Sequence, residues 1–203
     1  MKWSLALVCC AVLTAAGMPR LSFTKSFPGS TPPYIGITVD KNGAGEYKEA
    51  ENDDNPVHFQ MAATDVSQMF DLAAKLGYFD HPLASPLKVA FMGDKTFRYE
   101  DGTRKNEVKF NFSEDLSAQA LTDWFERISE SEQLLTIVQV AAKYDHLGVD
   151  KALLQLQAAY ERKRLVAIEQ YLPLLDRIAK NEMYLHQDCL RAAALAEAFR
   201  AAK

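Results

Sequence analysis

Cysteine is scarce in this chain, and that scarcity sets the first limit. Two of the three cysteines, Cys9 and Cys10, sit in an apolar N-terminal run, which leaves Cys189 alone in the rest of the sequence. A single thiol closes no internal disulfide, so stability has to come from a buried core. Cys189 itself reads as a small packing residue. Histidine is also scarce. His58, His81, His146 and His186 lie far apart, with no His-x-x-x-His, Cys-x-x-Cys or His-Glu-x-x-His spacing, so no metal site is written in the sequence. No glycine-rich phosphate loop leads into a helix, and no Gly-x-Ser-x-Gly elbow presents an acyl-transfer nucleophile. On this reading there is no cofactor, metal ligand or catalytic residue to name.

Positive charge is not in excess either. The formal net charge is -4 and the isoelectric point about 5.6, which argues against nucleic acid as a partner, because phosphate binding draws on a basic surface. Long apolar runs are missing beyond the N-terminus. Leu5–Leu13 is apolar but too short to span a bilayer, which takes about 20 residues. Lys2 precedes it and Thr14-Ala15-Ala16-Gly17 follows with small residues. That order predicts a cleaved secretory signal over 1–17, with a retained membrane anchor or a start at Met18 as the alternatives. After signal removal no integral membrane span is expected.

What the chain does have is period. Ile35, Ile37 and Val39 alternate with Gly36 and Thr38, and Asn42-Gly43 then offers a tight turn into Glu46-Tyr47-Lys48. This predicts a β-hairpin. Leu21, Phe23 and Phe27 mark an earlier strand, and Val57–Met61 a short later one. Leu87–Phe91, Thr96–Tyr99 and Val108–Phe112 read as three further strands, turned at Met92-Gly93-Asp94 and Asp101-Gly102.

Gly29, Pro32 and Tyr34, followed by Ile35-x-Ile37-x-Val39 and a glycine turn, resemble a family of small, uncharacterised secreted bacterial domains. Its signature is roughly Cys-x-Gly-x-Cys-Pro-x-Tyr before a β-hairpin, a helix and further strands. The likeness covers about the first half of the mature chain. The two family cysteines fall on Phe27 and Thr31 here, so no disulfide or redox role carries over, and the family lends no activity.

Helical patterns fill the rest. Thr64 reads as the cap of a helix carrying Val66, Met69, Phe70, Ala73 and Leu76, ending at Gly77. Ser113 reads as the cap of a second, with Leu121, Trp124, Phe125 and Ile128 on one stripe. Ser129 and Glu132 fit a capping box that starts a third. Asp150 opens a fourth, in which the basic triplet Arg162-Lys163-Arg164 reads as a solvated face, and Pro173 should kink or split it. Asn181 reads as a break before a final alanine-rich helix.

The expected fold is α+β: an antiparallel sheet with helices on one face, followed by an all-helical C-terminal extension. The expected divisions are 1–17 (signal), 18–130 (α+β domain) and 131–203 (helical extension). The expected role is a non-catalytic binding or assembly module of the bacterial envelope, periplasmic or secreted. Its partner would be a protein, or a second copy met through the extension. A hydrolase with a carboxylate–histidine site such as Asp80 and His81, or a small-ligand carrier with its site in the crease between sheet and helices, are the alternatives.

Overall fold

The computed structural model of the chain describes residues 17–202, so the expected signal lies almost wholly outside the described residues. Six strands form one antiparallel sheet: β1 (Arg20–Ser26), β2 (Tyr34–Asp40), β3 (Ala44–Lys48), β4 (Val57–Gln60), β5 (Asp94–Glu100) and β6 (Lys105–Phe110). Their spatial order is β4-β3-β2-β1-β5-β6. Leu21, Phe23, Ile37, Val39, Tyr47, Phe97, Tyr99 and Val108 are buried on one face, while Arg20, Glu46, Arg98 and Glu107 are exposed on the other. One covered face explains the clean alternation seen in the sequence.

The turns follow from local chemistry. Asp40 Oδ1 accepts hydrogen bonds from the backbone N–H of Asn42 (2.8 Å) and Ala44 (3.0 Å), and Gly43 takes φ 88°, a conformation that costs glycine little. At the β5–β6 turn Asp101 accepts from the backbone N–H of Arg104 (2.7 Å) and Thr103 (3.1 Å) and from the Thr103 hydroxyl (2.8 Å). Those donors hold its carboxyl well below the usual range, the Arg104 backbone bond first.

Two helices cover the sheet. Helix α1 (Ala63–Lys75) follows β4, and α2 (Leu116–Tyr144) follows β6. Phe125 of α2 stacks on Phe23 at 4.9 Å between ring centroids, and Phe97 sits among Phe23, Phe79, Phe110 and Phe125. Helices α3 (Val149–Glu161), α4 (Leu172–Ala179) and α5 (His186–Ala201) build a second core with the far half of α2, centred on Leu153, Tyr171, Leu175 and Phe199. The α+β architecture is therefore as the sequence pattern implies.

Several local expectations are corrected. No helix begins at Ser129. Helix α2 runs unbroken for 29 residues, and Ser129 and Glu132 lie buried inside it. Tertiary packing on both sides outweighs the capping-box pattern. Asp115, not Ser113, caps α2, accepting from the N–H of Ser117 (2.7 Å) and Ala118 (3.1 Å). Helix α1 starts at Ala63, so Ala62 and not Thr64 holds the N-cap position, with no side-chain cap. Helix α3 starts at Val149 with Gly148 at the N-cap position, and Asp150 lies in its first turn. Pro173 lies in the first turn of α4, where the missing N–H has no partner to lose.

Leu87–Phe91 is not a strand. Residues 86–92 are all exposed, and β5 already has β1 and β6 as neighbours. Contacts to the segment end in side chains: Asn111 accepts from Met92 N–H (2.6 Å) and donates to Ala90 O (3.0 Å). Among the described residues no helix is long and apolar enough to cross a membrane.

Candidate functional site

The junction of the two cores is built from polar groups on one helix. Ala118, Leu121, Phe125 and Ile128 of α2 belong to the sheet core, and Leu134, Leu135, Val138, Ala141 and Ala142 to the helical core. Between them lie Ser129, Ser131 and Glu132, all buried. Ser131 Oγ donates to Arg127 O (2.8 Å) and accepts from Val166 N–H (2.9 Å), while Ser131 O accepts the Tyr171 hydroxyl (2.5 Å). Gln133 Nε2 reaches the Tyr47 hydroxyl of β3 (3.0 Å). The Glu132 carboxyl accepts from Gln170 Nε2 (2.7 Å) through one oxygen, and the other oxygen has no partner. Burial pushes its pKa up to about 7, and the Gln170 bond pulls back only in part.

Those bonds also fix the segment 162–167, which returns from α3 to α2. The basic triplet is not a helix face, because α3 ends at Glu161. Arg164 pairs with Asp123 (2.5 Å) and Glu130 (2.9 Å) on α2. Lys163 and Ala167 take positive φ, 58° and 50°. Val166 is buried against the sheet core. The result is a wall of polypeptide facing the β4–α1 corner.

Between that wall and the corner lies a cleft of ≈ 800 Å³. Met61, Ala62, Thr64 and Asp65 form one side, Leu165, Val166, Ala167 and Ile168 the other, and Arg127 of α2 lies between. Gln60, Tyr160, Glu161, Lys163, Glu169 and Ala202 complete the lining. The uncapped N-terminus of α1 therefore opens on the cleft, and its first N–H groups carry partial positive charge.

Arg127 is a half-buried charge in the cleft with few partners. Its guanidinium lies over the Trp124 ring at 4.3 Å. Nη2 makes one long hydrogen bond to Leu165 O (3.4 Å), Nε is buried without an acceptor, and among the described residues it forms no ion pair. Burial lowers its pKa, while Asp123 and Asp65 pull it back up. Across the cleft, burial raises the Asp65 pKa and Arg127 lowers it. Glu161 is occupied by Gln157 Nε2 (2.8 Å).

The expected carboxylate–histidine pair is present as a contact and lies elsewhere. His81 Nδ1 is 2.8 Å from Asp80 Oδ1, yet the two side chains are 50% and 64% exposed and neither lines the cleft. The other buried carboxyl is Asp188. Neither of its oxygens has a hydrogen-bond partner, and burial, with Asp150 nearby, raises its pKa. Arg191 pairs with Asp150 beside it. Among the described residues no group of three or more His, Cys, Asp or Glu side chains could hold a metal ion.

Sequence reasoning placed Asp65 in a first helical turn and missed Arg127. The available signal was its spacing from Trp124, i and i+3 on one helix, which brings a guanidinium over an indole. Nothing local marks the facing wall, which arrives some forty residues later. Compared with known proteins, the chain matches no family model and no curated protein.

Proposed function

We propose that the protein is a non-catalytic, exported binding module whose site is the cleft between the β4–α1 corner and the segment 163–169. The observation that carries this is the cleft's make-up. It is the size of a small-molecule site, with an aliphatic stretch, Leu165 to Ile168, set among polar and charged side chains, and Arg127 lies in it without an ion pair. No histidine, cysteine or serine lines it, so the residues offer contact and orientation in preference to nucleophilic chemistry. Export rests on the pattern of 1–17, and a periplasmic or secreted location follows from it.

Native mass spectrometry on protein purified from its producing cells tests the reading. A retained small molecule that protects the amides of Ala62 and Thr64 from exchange is the expected result. Ligand-free protein, with no small molecule from the same cells altering those amides, overturns it.

A second reading, self-association through the helical half, is favoured by the exposure of Ile137 (44%), Val140 (50%) and Leu154 (45%) on α2 and α3. Sedimentation of wild type against I137K/V140K decides it. Dimers lost in the variant support it, and a monomeric wild type removes it.

A further inference from the structure

The cleft also says what kind of molecule it takes, and this step rests on the cleft being the binding site. We infer that its ligand carries a single anionic head, a carboxylate or phosphate, on an apolar body, with the head at Arg127 and the body along Met61, Leu165 and Ile168.

Three cationic features line the cleft. Arg127 has no ion pair and only one long hydrogen bond. Lys163, held at positive φ on the rim, has no side-chain hydrogen bond or ion pair among the described residues. Helix α1 opens there without a side-chain cap. A planar guanidinium already stacked on Trp124 loses little freedom when it meets an oxyanion, and a charge-assisted bond in a half-buried site is stronger than one in water.

The carboxylates of the cleft do not cancel this. Three carboxylates line the cleft: Glu161 is hydrogen-bonded to Gln157, Glu169 on the facing wall is likewise engaged by a partner, and Asp65 is the third. Asp65 sits in the first turn of α1, where the helix dipole already accommodates it, and burial works against its ionisation. The walls on the other side are aliphatic: Leu165, Val166, Ala167 and Ile168. An ion with no apolar part would leave those walls wet, and an uncharged chain would leave Arg127 Nε without an acceptor.

The test uses four probes of one chain length on the purified protein: octanoate, octyl phosphate, octanol and octylamine. Trp124 fluorescence and the amide shifts of Ala62 and Thr64 follow the head, and amide shifts of Met61, Leu165 and Ile168 locate the body. Octanoate or octyl phosphate should bind at least about tenfold more tightly than octanol, and the tighter of the two identifies the head. R127Q should erase that preference, R127K restore part of it, and K163Q reduce it. Circular dichroism on each variant separates loss of binding from loss of fold, and K163Q carries the test alone if R127Q does not fold. Octanol binding in the cleft as tightly as octanoate, or octylamine binding best, overturns the anionic head and leaves the cleft as the site. No cleft shifts with any probe overturns both.

Discussion

Gln170 donates to Glu132 across 2.7 Å, from the turn before α4 to the middle of α2. That bond satisfies half of a carboxyl buried where the two cores meet. The other oxygen is left bare, and an unpartnered buried oxygen favours the protonated acid.

The first prediction follows from that carboxyl. Its folded pKa is raised, to about 7, above the ordinary glutamate value. Its contribution to stability is therefore complete below pH ~4.5 and is lost as pH rises toward 7. E132Q keeps the Gln170 bond and removes the ionisation. Urea denaturation across pH 4–8 should show wild type weakening relative to E132Q through that window. The gap should reach at most roughly 3 kcal/mol above pH 7. Parallel stability curves would show that Glu132 does not titrate between the two states.

Phe97 is the hub of the sheet core, fully buried and within 6.0 Å of four other rings. F97A should cost about 3–5 kcal/mol, read as a fall in the denaturant midpoint. F97L, which retains most of the volume, should cost clearly less.

Asp115 and Ser113 separate two accounts of where α2 begins. D115A removes the acceptor for two backbone N–H groups and should cost about 1 kcal/mol. S113A removes only a long contact with Asp115 N–H (3.3 Å) and should cost less. Equal effects in thermal denaturation would contradict the Asp115 cap.

Gly45 lies on the covered face of β3 with the Phe59 ring packed directly over it, so an added Cβ would run into that ring. G45A should destabilise by about 1–3 kcal/mol. G45A combined with F59L should recover part of the loss, since the two residues are direct cross-strand neighbours.

The sheet was legible because its information is local. Period-two residues such as Ile35, Ile37 and Val39 need only one apolar face, and Asn42-Gly43 sets the hairpin within four residues. Leu87–Phe91 shows the limit: alternation alone supplied a strand pattern, but the sheet left it no ladder. The cleft was illegible for a different reason. Its two walls are about a hundred residues apart, and Arg127 has meaning only once 165–169 return beside it. Glu132 could have been read differently. It stands four residues after Ile128 and three before Leu135, squarely on the apolar stripe, and a capping box explained it too early.

Helix α2 contributes its first half to one core and its second half to the other, without a joint. Angular phase along that helix is therefore shared by both halves of the molecule. Each residue advances the helix by about 100°, so inserting one amino acid between Ile128 and Leu134 would swing everything after it by that angle. Leu135 and Val138 would then face away from α3, although no contact residue had been changed. Inserting seven would nearly restore the phase but displace the helical core by about 10 Å along the axis. Length changes at this junction are thus forbidden by geometry in a way that substitutions are not, and the spacing 128–134 is itself a structural requirement of the fold.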